Sequence, residues 1–280
     1  MAARIFFTRH PVLPGFTLSF GLSVLFVSLV ILLPLSGLLL YTSDMSGAEY
    51  WSIITNSRVV ATYKITLAAA FWASVINAFL GLLLAWVLVR YRFPGRRLMD
   101  ALVDLPFALP TAVAGITLTT LFASNGWLGR WFDMAGIQIA YAFPGIVIAM
   151  SFTSLPFVVR ALQPVLEDIG PEYEEAAHTL GASTPKAFWY VVLPQLRPAL
   201  ITGTTLAFIR SLGEFGAVIF IAGNIPFETE VTSLMIFVRI QEYDFPAATA
   251  IASVVLLTSL LLLFAVQLLQ GRYLKRLRGG

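Results

Sequence analysis

Long apolar runs separated by short polar connections dominate the chain. Six of these runs reach the roughly 20 residues that a helix needs to cross a bilayer at about 1.5 Å of rise per residue. They cover residues 15–41, 65–89, 101–124, 139–162, 199–222 and 247–270. The pattern predicts an all-α membrane protein with six transmembrane helices. Since no linker of domain size interrupts the runs, we expect residues 1–280 to form a single transmembrane domain.

The distribution of Lys and Arg predicts how the spans are oriented, because loops on the cytoplasmic side of a membrane collect basic residues. With both termini inside, all basic residues fall on the inner side or in the inner loops, with five exceptions. Four lie outside and one lies within the fifth span; they are Arg58, Lys64, Arg130, Arg239 and, in the span, Arg210. A multi-pass protein with cytoplasmic termini is therefore predicted.

Composition supports a membrane location and excludes several other classes. The 280 residues are 58% hydrophobic and 12% charged, and the mean hydropathy is +0.84. Disordered chains, coiled coils and nucleic-acid-binding proteins need far more charge, so we expect lipid and no nucleic acid as a partner. The absence of Cys excludes disulfides, thiolate metal ligands and thiol nucleophiles.

The longest inner connection, residues 163–198, has the start and stop signals of two short helices. Pro171 suits a first helical position and Gly181 suits the left-handed residue after a helix end. A second helix is predicted to begin at Thr184, with Pro185 following it, and to end at Pro194.

Four positions of the first helix recur at helical spacing and form one face, namely Tyr173, Ala176, Ala177 and Leu180. The two small alanines at its centre allow another surface to approach closely. Two readings remain open at this point, packing against the protein's own spans and docking into the groove of a partner.

The residues of this loop resemble the EAA loop of bacterial ABC-importer permeases. The matching positions are Glu175, Ala176, Ala177, Gly181, Val191, Leu193 and Pro194, with Val191 where Ile is usual. The resemblance implies a type I importer permease fold in which the loop is a coupling helix, docked on a separate ATP-hydrolysing subunit. It further implies that Glu175 makes anchoring polar contacts, that Gly181 permits the turn, and that Ala176, Ala177 and Leu180 provide contact.

Three segments are similar to the sulfate and molybdate permease group, namely residues 105–115, 211–217 and 220–226. Three more are similar to T-type subunits of sulfate/thiosulfate importers, namely residues 12–18, 90–96 and 229–239. The resemblance implies inward translocation of sulfate or thiosulfate across the bacterial inner membrane. It implies as partners a W-type permease, two ABC ATPase subunits that bind ATP and Mg, and a periplasmic binding protein. A molybdate/tungstate permease is the alternative, since such permeases resemble the core but generally lack so long an N-terminal region.

Two charged residues fall inside the predicted fifth span. Arg210 and Glu214 lie one helical turn apart, where they can neutralise each other. An isolated charge in a span is costly, so a structural ion pair is the first reading and an intramembrane gate or oxyanion contact is the second.

The third span contains two prolines followed by hydroxyl side chains. Pro106 and Pro110 each remove a helical hydrogen bond, and Thr111 and Thr117 follow them. The pattern predicts a kinked helix, whose hydroxyl groups either pack against neighbours or line an aqueous path.

The chain has no phosphate-binding loop. None of its three lysines, Lys64, Lys186 and Lys275, stands in a Gly-x-x-x-x-Gly-Lys-Ser/Thr pattern, so we expect no ATP hydrolysis and no cofactor on this chain.

Two other classes of function fit less well. A secondary anion transporter would show internal repeats with matching broken helices, which the sequence lacks. An intramembrane enzyme would need a set of His, Asp, Glu or Ser residues that converge at the ends of spans, and the sequence shows no such set.

Overall fold

A computed structural model describes residues 16–278, without the side chains of Thr17, Val266 and residues 269–278. Within that range the chain is helical apart from turns and short connections, which confirms the predicted all-α fold. Residues 1–15 lie outside the described range; they include Arg4 and Arg9, which the predicted orientation places inside, and residues 12–15 of the family resemblance.

The α-helices of the described range follow each other in the order α1 (Phe16–Val27), α2 (Leu33–Ser43), α3 (Gly47–Ile54), α4 (Ser57–Arg90), α5 (Arg96–Val103), α6 (Leu105–Ala108), α7 (Thr111–Phe122), α8 (Gly129–Met134), α9 (Phe143–Ile169), α10 (Glu172–Thr179), α11 (Thr184–Ala187), α12 (Leu193–Leu212), α13 (Val218–Ile221), α14 (Thr232–Gln241) and α15 (Phe245–Arg278). Four stretches are long and apolar enough to cross a membrane, namely Leu18–Ser43, Ser57–Arg90, Phe143–Ile169 and Phe245–Ala265.

Two π-helical turns, Ser28–Leu32 and Phe188–Val192, join α1 to α2 and α11 to α12 without a break. Each lies just before a proline, Pro34 or Pro194. A proline inside a helix lacks the N–H donor and crowds the preceding turn, and a widened turn accommodates both effects. The prediction that Pro194 ends the second loop helix is therefore wrong, because the helix continues through it to Leu212.

The predicted third span, 101–124, is interrupted at both of its prolines. Pro106 lies in the first turn of α6, and Pro110 is the residue before α7. Leu109 between α6 and α7 is extended, as expected for a residue that precedes proline. The predicted kink is thus a break into shorter helices, and only the 12-residue α7 continues the apolar run.

The predicted fifth span, 199–222, is wrong at its end, because α12 stops at Leu212. Residues 213–231, here called the insert segment, then leave the helix and return, and α14 follows. The hydroxyl of Ser233 donates a 2.7 Å hydrogen bond to the carbonyl of Glu214, which joins the two ends of the insert segment. Its short helix α13 packs against α7 and α9. Hydropathy could not locate this exit, since residues 215–222 of the insert segment contain no charged or polar side chain and continue the apolar run after Glu214.

Three long helices, α4, α9 and α12, form the centre of the molecule. The side-chain amide of Asn77 on α4 donates to Ser154 Oγ (2.8 Å) and to the carbonyl of Ser151 (3.0 Å) on α9. The hydroxyl of Ser211 on α12 lies 3.1 Å from the same Ser154 hydroxyl. Small residues that let helices approach closely, joined by polar side chains, are typical of packing between membrane helices.

The two ends of this bundle differ in what they carry. The C-terminal ends of α4 and α9 meet α10 and the start of the α11–α12 helix, and we call this the loop end. The opposite end, here the far end, holds the start of α4, where Arg58 makes a bidentate ion pair of 2.8 and 2.9 Å with the fully buried Glu230. That pair attaches the end of the insert segment to α4.

Candidate functional site

The helix α10 at the loop end begins one residue later than predicted, because Pro171 precedes its first turn and Glu172 is its first residue, and it ends at the predicted glycine. Three glutamates, Glu172, Glu174 and Glu175, occupy its first turn, where the helix dipole favours negative charge. At the other end Gly181 has φ +84°. The N–H groups of Gly181 and Ala182 donate to the carbonyls of His178 and Ala177 at 2.9 and 3.0 Å, a Schellman-type end.

The predicted small-residue face of α10 is divided between two environments. Ala177 is buried against the chain, with 8% of its surface exposed. Ala176, Tyr173 and Leu180 are exposed, Leu180 to 89%. The packing interpretation therefore holds for Ala177, while docking of the exposed residues on a partner stays a prediction. Nothing in the chain tests the predicted contact of the exposed residues with another subunit.

The polar contact that attaches α10 to the bundle comes from a residue that the sequence reading missed. Arg90, the last residue of α4, places Nε 2.8 Å from Glu174 Oε1. The neighbouring Glu175 is exposed, and its carboxylate makes no hydrogen bond or ion pair with any described residue. The anchoring polar contacts predicted for Glu175 therefore stay a prediction, and their partner would belong to another subunit. The motif could not identify the Arg90 contact, because 84 positions separate the two partners.

The second loop helix begins one residue earlier than predicted, since Ser183 and not Thr184 precedes its first turn. Leu193 is buried with 9% exposure, and Pro194 is half-buried within the continuous helix. Both residues thus lie in the stem that carries the loop into the bundle. Any part they play in coupling remains a prediction.

A second ionic cluster near the loop end joins the interrupted third span to α9. Arg160 on α9 binds Asp100 at 2.6 Å and Asp104 at 2.6 and 2.8 Å. The position of both aspartates at the start of the predicted third span favours capping of that span or charge balance with Arg96 and Arg97. In the structure both bind Arg160, and the charge of Arg96 acts on Asp100 as well. Hydrogen bonds from the Gln163 amide and the Arg160 guanidinium lower the pKa of Asp100 below its ordinary value of 3.8, so it is ionised at neutral pH.

The predicted pair of Arg210 and Glu214 is confirmed as a contact, although not within one helix. Arg210 Nη1 lies 2.8 Å from Glu214 Oε2, and Glu214 follows the end of α12. Glu214 is 1% exposed and its Oε1 accepts a 3.0 Å hydrogen bond from the N–H of Ala217. The carboxylate therefore holds the first turn of the insert segment against α12. A gate or oxyanion contact at Arg210 stays a prediction.

The four predicted kink or path residues of the third span lie in different surroundings. Pro106 is half-buried and Pro110 is exposed, at the starts of α6 and α7. Thr111 is half-buried against Gly216 of the insert segment, where a Cβ on Gly216 would overlap the Thr111 hydroxyl. Thr117 is exposed and its hydroxyl donates to the carbonyl of Val113 in its own helix (2.8 Å). Thr111 thus packs against the insert segment, and the path roles of Thr111 and Thr117 both stay predictions.

A family model described as a binding-protein-dependent transport system inner membrane component matches residues 77–279. The chain belongs to this family. It is 63% identical over 268 residues to the sulfate transport system permease protein CysT of Escherichia coli (strain K12), covering 96% of this chain and 97% of that protein. It is 48% identical over 250 residues to a probable sulfate transport system permease protein cysT of Chlorokybus atmophyticus, covering 89% and 87%.

Solved permeases of ABC importers share the fold. A chain of a bacterial ABC transporter that imports alginate superposes with a TM-score of 0.72 at 16% identity, covering 92% of this chain and 96% of that one. A chain of the MetNI methionine ABC transporter superposes with a TM-score of 0.54 at 19% identity, covering 83% and 99%. The chain is therefore an ABC-importer permease of the inner membrane, a class that works with ATPase and binding-protein partners.

Proposed function

We propose that this chain is the T-type transmembrane subunit of an ATP-driven importer of sulfate and thiosulfate in the bacterial inner membrane. The observation that carries the proposal is its 63% identity, over nearly the whole chain, to a sulfate permease. A second permease of the W type, two ATPase subunits and a periplasmic sulfate- or thiosulfate-binding protein complete the assembly. ATP and Mg bind to the ATPase subunits, and this chain binds no cofactor.

In this proposal α10 is the coupling helix. Its exposed residues Glu175, Ala176 and Leu180 dock in a cleft of the ATPase subunit, and the left-handed Gly181 fixes the direction in which the chain leaves that contact. Closure of two ATPase subunits around ATP moves α10 and tilts the helices that follow. The loop end, with the basic inner loops, faces the cytoplasm together with both termini.

The anion path in this proposal is shared between two permeases. One open cavity of about 460 Å³ in this chain lies between the end of α12, α14 and α15. Its lining is mainly apolar, with Leu212, Phe215, Ile236 and Phe237 among its residues. A dianion would lose its hydration in such a cavity and meet only the hydroxyls of Ser233 and Ser259, so it is an unsuitable site for sulfate. The path therefore needs surfaces contributed by the second permease.

Reconstitution tests the proposal. The chain is co-purified with its neighbours, inserted into liposomes that enclose the binding protein with labelled sulfate, and supplied with ATP outside. We expect sulfate transfer only when the ATPase subunits and hydrolysable ATP are both present. The same assay with thiosulfate and molybdate distinguishes the sulfate importer from the molybdate/tungstate alternative. Transport by the chain alone, without ATPase subunits, would instead identify a secondary anion transporter.

A further inference from the structure

We infer that Arg90 is the positioning residue that transmits movement of α10 to the transmembrane helices. The inference rests on the proposed function, because it assigns the mechanical link within this subunit. The guanidinium lies where the ends of α4 and α9 meet α10, and only 12% of the Arg90 side chain is exposed.

Through hydrogen bonds, the Arg90 side chain connects α4, on which it lies, to α10 and to the end of α9. Its Nε donates to Glu174 on α10 at 2.8 Å, its Nη1 to the carbonyl of Leu166 at 2.9 Å, and its Nη2 to the carbonyl of Gly170 at 3.2 Å. Carbonyls in the last turn of a helix have no partner within that helix, and here the guanidinium supplies donors to the end of α9. One side chain thus caps α9 while it holds α10.

Trp86 connects Arg90 to the stem of the loop. The guanidinium carbon of Arg90 lies 5.5 Å from the ring centroid of Trp86, one turn earlier on α4. Trp86 meets Phe188 edge to face, with centroids 5.1 Å apart. Phe188 begins the π turn between α11 and α12. Both chain ends of the coupling helix are therefore connected to α4 around Arg90.

No other polar side-chain contact links α10 to the bundle in the part of the chain that the structure describes. The remaining side-chain hydrogen bonds of α10 stay within the loop, from Thr179 to Ala176 and between His178 and Ala182. An arginine suits this position better than a lysine, because its planar group presents several fixed donors to partners in different directions. Loss of the Glu174 contact would let α10 move while α4 and α9 stay in place.

The test compares Glu174→Ala with Glu172→Ala in the complete reconstituted importer. Both substitutions remove one carboxylate from the first turn of α10, but only Glu174 binds Arg90. We expect both variants to retain the ATPase subunits and to hydrolyse ATP. The number of sulfate ions transported per ATP should fall at least about fivefold for Glu174→Ala, the lower range of ordinary coupling between sites. Glu172→Ala should stay near the wild-type ratio.

Three further variants separate a transmission role from a merely structural one. Glu174→Gln keeps an acceptor for Arg90 Nε, so its ratio should lie between those of wild type and Glu174→Ala. Combining Arg90→Ala with Glu174→Ala should be no worse than Arg90→Ala alone, since both remove the same link. The Glu174 variants keep the test decisive if Arg90→Ala fails to assemble.

The outcomes distinguish this inference from the proposed function. A wild-type ratio for Glu174→Ala overturns the inference and leaves the proposed function intact. An equal loss of ATPase binding and transport in Glu174→Ala, with the ratio unchanged, also overturns it, because Glu174 then serves docking. If the wild-type complex hydrolyses ATP and imports no sulfate, the proposed function fails and the inference fails with it.

Discussion

At the scale of single residues, Gly181 shows how a backbone requirement fixes a sequence position. Its φ of +84° lies where side chains with a Cβ are strained, and the space around its Cα is open. The demand for glycine therefore comes from the backbone angle and not from crowding. A β-branched residue is least able to adopt this conformation, whereas asparagine tolerates it.

Gly181→Val should consequently disturb the end of α10, at a cost of about 1–2 kcal/mol for a left-handed residue with a Cβ. We expect less ATPase subunit to co-purify and less sulfate uptake per complex. Gly181→Asn is the matched control and should retain most of both. Uptake at the wild-type level in Gly181→Val would contradict the role of this turn in coupling.

Residue-level prediction from sequence succeeds here where the requirement is local. Gly181 and the glutamates of α10 follow rules that act within one turn of a helix, so the sequence places them correctly. The contacts of Arg90 with Glu174 and of Arg160 with Asp104 join residues far apart in the chain. They depend on how helices pack, which a single sequence does not encode in any local pattern.

At the scale of elements, hydropathy located apolar segments well and their interruptions poorly. α4 and α9 match two predicted spans because their apolar runs are also continuous helices. The third and fifth predicted spans fail at Pro110 and Gly213, since mostly apolar sequence resumes within two residues of each point although the backbone has left the helix. Proline was an unreliable stop signal as well, because the π turn carries the helix through Pro194.

The central helices provide an element-scale prediction. Asn77 joins α4 to α9 by two hydrogen bonds and is 1% exposed. Asn77→Ala should lower the free energy of unfolding by about 0.6–1.7 kcal/mol, which spans the mean and the maximum measured for polar contacts between membrane helices. Thermal unfolding in detergent measures the change. Thr117→Ala is the control, since Thr117 is exposed and its hydroxyl donates only to a carbonyl of its own helix. An equal loss of stability in Thr117→Ala would argue against a stabilising contribution of the interhelical contact.

At the scale of the whole molecule, charge asymmetry and architecture support the same orientation. The loop end carries α10 with Arg90 and the basic loop that follows α4, while the far end carries the insert segment and the connection between α7 and α9. Basic residues collect on the cytoplasmic side of membranes, so the loop end is expected inside. This placement is also the one that an ATPase subunit in the cytoplasm requires.

Cysteine labelling tests this orientation directly, because the natural chain has no Cys. Ser183→Cys, exposed at the loop end, and Ala135→Cys, exposed in the connection after α8 at the far end, form a matched pair. In spheroplasts a membrane-impermeant maleimide should label Cys at position 135 at once, and should label position 183 only after the membrane is permeabilised. Labelling in the reverse order would place the coupling helix outside, where no cytoplasmic ATPase could reach it, and would overturn both the orientation and the coupling role of α10.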